Sequence, residues 1–165
     1  MNAGTGETVF EKLDANLAKA MLSIGAVKGF EIGDGFGASR ACGSGNNDGF
    51  CIYGEGKDGS LHLNGRVGKR TNHSGGTLGG ISDGSDIVMR AAFKPTPSIA
   101  QPQHTVNRKG EETVVEIKGR HDPIIVPRAV VVVEAMAALT AADVLLLSMT
   151  SRLDRVQEFF ARDRV

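Results

Sequence analysis

One apolar run constrains the fold more than any other part of the sequence. Residues 128–149 read RAVVVVEAMAALTAADVLLLSM, and their only acidic side chains are Glu134 and Asp143. A central Asp costs a membrane-spanning helix about 2.5–3.5 kcal/mol on insertion scales, which favours a buried helix of a soluble protein over a membrane span. A proline is tolerated at the first helical position, so we predict one long helix over Pro127–Arg152.

The other elements alternate only loosely and predict an α+β fold with antiparallel sheet. Thr8 and Glu11 have the spacing of a capping box, and apolar residues then recur at helical spacing up to Gly25, which predicts a first helix. Strands are predicted at residues 26–33, 86–93, Thr105–Asn107 and Glu112–Lys118. The last two are predicted to pair through a turn at residues 107–110, and such hairpin-like connections favour antiparallel sheet.

The remaining stretches are irregular in composition. Residues 34–84 are crowded with glycine, asparagine and serine, and only residues 54–68 suggest a small hairpin within them. Loops of such length are uncommon in compact domains unless they are functional or disordered. Prolines at 95, 97 and 102 predict an extended connector. The end, residues 153–165, is interpreted as a short amphipathic helix or a partly ordered tail.

Charge and cysteine usage narrow the function classes. The chain has 19 basic and 19 acidic residues, and a nucleic-acid or anionic-membrane binder normally carries a basic excess. Cys42 and Cys51 lack CxxC spacing and are interpreted as free thiols in a reducing compartment. His62, His73 and His104 lack metal-ligand spacing. With no secretory signal at the start, we expect a cytoplasmic protein without a nucleic-acid partner, membrane or metal.

Three short segments have residue types suited to ligand chemistry. In TNHSGGTLGGISDG, residues 71–84, paired glycines leave backbone N–H groups open to a ligand or simply form a turn. KPTPS, residues 94–98, offers a cation and hydroxyls on an extended backbone, an arrangement suited to an anion and equally to a rigid connector. In GRHDP, Arg120 can bind a phosphate and Asp122 can accept a proton, or the two can form a local ion pair.

Taken in order, these segments resemble the C-terminal half of chorismate synthases. The similarity covers GETVFEKLDANLAKAMLSIGAVKGFEIGDGF, TNHSGGTLGGISDG, KPTPSI, GRHDP and PRAVVVVEAMAAL, and so nearly the whole of residues 1–165. The resemblance implies part of a β-α-β sandwich, with helices packed on antiparallel sheets, in a homotetramer. It also implies a lyase that uses reduced FMN to convert 5-enolpyruvylshikimate 3-phosphate to chorismate and phosphate. No nicotinamide-binding pattern is present, so an external reductase is expected to deliver electrons from NADPH to the flavin.

The resemblance also implies site residues. Asp122 corresponds to the family aspartate proposed to manage the proton at flavin N5. The family's flavin contacts fall on Gly25, Ala26, Gly79, Lys94, Pro95, Thr96, Pro97, Ser98 and Arg120. Two positions depart from the common pattern: Gly25 replaces an asparagine, which leaves only backbone contacts there, and Val131 replaces a proline, which should ease the helix start.

The resemblance does not extend to the N-terminal half of the family's chain. Neither the family's GxSHG segment nor its arginine-rich, substrate-binding segment occurs in the sequence. We therefore expect a chain that is inactive alone and active with the missing half. The alternative is a non-catalytic module that binds flavin or phosphate, or a partner. Half of a sandwich leaves an apolar face uncovered, which predicts self-association.

Overall fold

The computed structural model describes residues 1–52, 67–120 and 124–162. The α-helices are α1 (Leu13–Ser23), α2 (Val126–Met149) and α3 (Leu153–Arg162). The strands are β1 (Val27–Ile32), β2 (Phe50–Ile52), β3 (Val67–Lys69), β4 (Thr77–Leu78), β5 (Ile81–Ser82), β6 (Met89–Phe93), β7 (Gln103–Val106) and β8 (Glu112–Val115). Short 3₁₀ turns cover Val9–Glu11 and Gly35–Arg40. The predicted α+β class is confirmed.

The strands pair in four antiparallel ladders within the described residues. β1 pairs with β6, with Val27 opposite Phe93 and Ile32 opposite Met89, which confirms both predicted strands. β7 pairs with β8 as predicted, although β8 ends at Val115. Residues 54–66 of the predicted hairpin lie outside the described residues, and β2 and β3 pair on either side of them.

The first helix begins later than the capping-box pattern predicts. Thr8 makes no side-chain capping hydrogen bond, and α1 starts at Leu13. Glu11 instead accepts a hydrogen bond of 3.1 Å from the Asn16 side chain. The backbone N–H of Leu13, which has no partner within the helix, donates to the Gly80 carbonyl at 2.8 Å. The capping-box prediction is wrong because a distant loop satisfies the helix start.

The small core lies on α1. Leu13 and Leu17 are buried against Val144 of α2, and Phe30 and Met89 of the β1–β6 ladder pack partly on the same cluster. Helix α1 is therefore sandwiched between the ladder and one narrow stripe of α2, as its apolar spacing requires.

Helix α2 has the predicted type and nearly the predicted length, but the chain does not bury it. Within α2 only Ala129 and Val144 are buried, while Val131, Leu139 and Leu146 are each more than 60% exposed. The prediction of a buried helix is wrong for the chain alone, because α1 covers a single stripe. By length and composition α2 could also cross a membrane, which is weak evidence because core helices of soluble proteins pass the same test.

Candidate functional site

The β1–β6 ladder brings residues 94–98 beside two of the flavin contacts that the resemblance implies, Gly25 and Ala26. At the end of the ladder the backbone N–H of Lys94 donates to the Ala26 carbonyl at 2.7 Å. Ala26 has a φ of +69°, a left-handed conformation that non-glycine residues adopt uncommonly and often at functional sites. A Cβ added to Gly25 would meet no atom within 4 Å, so its backbone is open to an approaching group. The structure thus places Gly25 and Ala26 beside the start of residues 94–98.

The segment after Lys94 carries a buried polar atom that the protein leaves unsatisfied. The Thr96 hydroxyl is shielded from water and has no hydrogen-bond partner among the residues that the structure describes. Such a group costs roughly 1–3 kcal/mol when it is buried without a partner. Thr96 as a whole is half-buried, and rotation about χ1 exchanges its hydroxyl with its methyl. The hydroxyl can therefore serve a ligand at the surface of this segment, beside the exposed Lys94.

Gly79 lies at the tip of the β4–β5 hairpin. Gly79 and Gly80 have φ of +60° and +95°, as a two-residue hairpin turn with two left-handed positions requires. A side chain on Gly80 would overlap Lys12, whereas one on Gly79 would meet no atom within 4 Å. The tip packs on the first turn of α1, through the Leu13–Gly80 hydrogen bond, and Gly25 follows the last turn. At 1.5 Å per residue the 11 residues of α1 separate the two patches by about 16 Å.

The loop leading into that hairpin is closed to ligands. His73 and Ser74 donate their backbone N–H groups to the Asp48 carboxylate at 2.8 and 2.9 Å, and Gly76 donates to the Asn72 side chain at 2.8 Å. A Cβ at Gly75 would overlap the Gly33 backbone. Glycine is therefore needed here for close packing, and the interpretation of these amides as an open ligand cradle is wrong for residues 73–76.

Sequence reasoning missed a buried ionic cluster, which we call the Lys69 cluster: Lys69, Asp83 and Asp48. The Lys69 ammonium contacts the Asp83 carboxylate, lies 3.7 Å from Asp48 and donates to the Ser74 hydroxyl at 3.0 Å. The side chains of all three ions are less than 10% exposed. The three residues come from separate segments with no shared motif, so nothing in their spacing signals the contact.

Hydrogen bonds keep both carboxylates of the cluster charged. Burial raises the pKa of Asp48, but the donors of Ser74, His73 and Thr71 outweigh it and hold that pKa below its ordinary value. Burial likewise raises the pKa of Asp83, but the hydrogen bonds from Lys69 and Ser85 and the charge of Lys69 together outweigh it, with a net lowering. The cluster therefore contains one cation and two anions whose charges are stabilised by nearby donors.

The last candidate segment is only partly described. Arg120 is exposed after β8, and no hydrogen bond or ion pair joins it to Ala26 or Lys94 in the described part of the chain. Asp122, the predicted catalytic residue, lies outside the described residues together with His121 and Pro123. Its role stays a prediction.

Comparison with known proteins identifies the family. The sequence model of the family described as chorismate synthase matches residues 1–146. The chain belongs to the chorismate synthase family. A chorismate synthase of Lachnospira eligens is 64% identical over 162 residues, and one of Agathobacter rectalis is 62% identical over 159 residues. One of Archaeoglobus fulgidus is 58% identical over 146 residues.

The similarity extends to a solved chorismate synthase. Its crystal structure matches with a TM-score of 0.67 at 31% sequence identity, covering 98% of this chain and 39% of that one. The relatives of Lachnospira eligens and Agathobacter rectalis are covered over 98% and 96% of this chain but only 42% and 41% of their own length. The chain therefore spans about two-fifths of the length of the chorismate synthases that it matches.

Proposed function

We propose that the chain is the C-terminal half of a chorismate synthase and supplies part of its flavin site. The reaction is the 1,4-anti elimination of phosphate from 5-enolpyruvylshikimate 3-phosphate, which gives chorismate. The observation that carries the proposal is the unsatisfied Thr96 hydroxyl, in the segment that begins at Lys94, whose backbone N–H donates to the carbonyl of the strained Ala26. Membership of the chorismate synthase family supplies the reaction class.

The residues at the end of the β1–β6 ladder fit an anionic, oxygen-rich group such as the phosphate of FMN. Lys94 supplies a positive charge, and the hydroxyls of Thr96 and Ser98 can donate to phosphate oxygens. Pro95 and Pro97 restrict the backbone between them, so that less conformational entropy is lost on binding. The Pro97 carbonyl is also tied by the Gln103 side chain at 2.9 Å.

The remaining site residues are assigned by the family resemblance and by their chemistry. Gly25 and Gly79 each offer open backbone to a different part of the cofactor, Ala26 follows Gly25, and Arg120 can bind an anionic oxygen. When bound, reduced FMN supplies the electron density that assists loss of phosphate from the substrate. Asp122 would hold or release the proton at flavin N5, while the substrate's C–H proton and its phosphate leave from opposite faces.

The partners follow from the proportion of the family chain that is present. An N-terminal half would supply the residues that bind the phosphate and the carboxylates of the substrate. Copies of the chain would form a homotetramer. Both would cover α2, whose apolar side chains are exposed in the single chain. We place the protein in the cytoplasm, with FMN reduced by an external NADPH-dependent reductase.

Thr96→Val tests the site because it removes the hydroxyl and keeps the shape. We expect the variant's free chain to be more stable to urea by about 1 kcal/mol, since a buried unsatisfied group is lost. We also expect reduced FMN to bind about tenfold more weakly, as followed by flavin absorbance in an anaerobic titration. Thr113→Val, on the exposed strand β8, is the control for the same substitution at a remote site. Unchanged stability together with unchanged FMN affinity would contradict the site.

A further inference from the structure

The β4–β5 hairpin is too short to position its own tip. Its ladder has two residue pairs, Thr77 with Ser82 and Leu78 with Ile81. Isolated hairpins are marginally stable even when they are longer. Gly79 and Gly80 also have intrinsically free backbones. The Leu13–Gly80 hydrogen bond holds the tip at one point, so the position of Gly79 depends on that bond and on the contacts that hold the base of the hairpin.

The Lys69 cluster binds both ends of that base. On the entering side, Asp48 accepts the backbone N–H groups of His73 and Ser74, and Lys69 donates to the Ser74 hydroxyl. On the leaving side, Asp83 contacts the same Lys69 ammonium. A single buried cation thus connects the residues before β4 with the residue after β5.

The outer side of the hairpin is held by a second set of contacts, from the N-terminal segment. Thr5 donates its backbone N–H to the Ser82 hydroxyl at 2.9 Å and accepts one from the Ser82 backbone at 2.9 Å. These contacts fix β5 but do not reach the loop before β4. The Asp83 backbone N–H donates to the Gly76 carbonyl at 3.1 Å, and the Lys69 cluster adds the buried side-chain connection between the two arms of the hairpin.

We propose that Lys69, with Asp48 and Asp83, is a positioning residue that aims Gly79 at the flavin. The identity of the ligand in this inference rests on the proposed function. The role of the Lys69 cluster rests on the geometry of the hairpin. Lys69 acts through the hairpin and touches neither cofactor nor substrate. Breaking the Lys69–Asp83 contact should free the hairpin arms while the β1–β6 ladder keeps its order.

The test separates positioning from general stability. Lys69→Met leaves Asp83 buried without its cation and is expected to lower the urea midpoint strongly. The double variant Lys69→Met/Asp83→Asn removes both charges and keeps an oxygen for the Ser85 N–H, so it should recover much of that midpoint. Arg152→Met/Asp154→Asn removes an exposed pair of the same charges and serves as the control. Should the double variant fail to fold, Asp83→Ala alone removes the same contact.

Hydrogen exchange and FMN binding give the decisive readouts for the double variant. We expect peptides covering residues 72–84 to exchange about tenfold faster than in the wild type, with peptides covering 27–32 and 89–93 unchanged. We expect FMN affinity to fall about tenfold although stability has recovered. Equal acceleration in both regions, or recovery of FMN affinity with stability, would overturn the proposal. If the wild-type chain alone does not bind FMN, the titration is repeated with the part of the Lachnospira eligens chorismate synthase that the chain does not cover. No binding in that mixture would contradict the proposed function, and the exchange comparison would still test whether the Lys69 cluster positions the hairpin.

Discussion

The β4–β5 hairpin region buries polar side chains, whereas α2 exposes apolar ones. Around the hairpin, polar side chains such as Lys69, Ser82 and Asp83 are buried and paired. On α2, large apolar side chains such as Leu139 and Leu146 are exposed to solvent. The first region satisfies its own hydrogen bonds within the chain, and the second leaves apolar surface exposed. The contrast separates a part of the fold that is complete within the chain from a part that the chain does not cover.

The largest effect is expected at the buried cation. Lys69→Met should lower the free energy of unfolding by about 3 kcal/mol, because removing one partner of a buried pair leaves the other charge uncompensated. Urea unfolding followed by circular dichroism measures it, with Lys109→Met in an exposed turn as the matched control. A loss of less than about 1 kcal/mol would mean that the cluster is open to water, and the contrast with α2 would be weaker.

A pair of leucine truncations tests the apolar side of the contrast. Leu17 is 3% exposed on α1, whereas Leu139 is 65% exposed on α2. Leu17→Ala should cost about 2–5 kcal/mol of unfolding free energy, as core truncations do. Leu139→Ala should change it by less than about 0.5 kcal/mol in the dilute chain. Both losses are measured by urea unfolding at a protein concentration at which the chain is monomeric. Equal losses would show that the chain itself already covers Leu139 of α2.

Acid should loosen the hairpin region before it affects α2. The pKa values of Asp48 and Asp83 are lowered by folding from an ordinary value of 3.8. Stability from a lowered pKa is complete above the unfolded value and is lost as pH falls through the folded one, so the loss should begin below about pH 4. Asp48→Asn should be less stable at pH 7 and lose less on acidification. Parallel pH profiles for wild type and variant, from urea midpoints, would exclude this contribution.

The smallest effect on stability should accompany a large effect on association. Leu139→Gln/Leu146→Gln changes only exposed side chains, so unfolding should shift by less than about 0.5 kcal/mol. The same change removes apolar surface that a partner would cover, and sedimentation should show less self-association than in the wild type. Glu112→Gln on β8 is a control for an exposed substitution elsewhere. An unchanged association state would place the interface away from α2.

The elements that depend on local pattern were predictable, and those that depend on distant contacts were not. The β1–β6 strands and α2 follow from alternation and from the long apolar run. The start of α1 at Leu13 does not, because the Gly80 carbonyl that receives its N–H is 67 residues away in the sequence. An apolar run predicts that a helix is buried, but it does not show whether its own chain or another surface covers it. The exposure of α2 therefore could not be predicted from the pattern.

The candidate site shows the same division. The segments of Ala26, Gly79 and Lys94 could be selected from their residue types and from the family resemblance. Pairing of β1 with β6 then brings Ala26 to Lys94 and leaves Gly79 about one helix length away. The Lys69 cluster was not predictable, because its three ions are isolated charges in a glycine-rich stretch and meet only in the folded chain.

Phosphate release in a mixing experiment tests the central claim most directly. The chain would be combined with the part of the Lachnospira eligens chorismate synthase that it does not cover, with reduced FMN and 5-enolpyruvylshikimate 3-phosphate under anaerobic conditions. We predict no release from either part alone and sustained release from the mixture. A folded pair that binds FMN but releases no phosphate would contradict the claim and would favour a non-catalytic flavin-binding module.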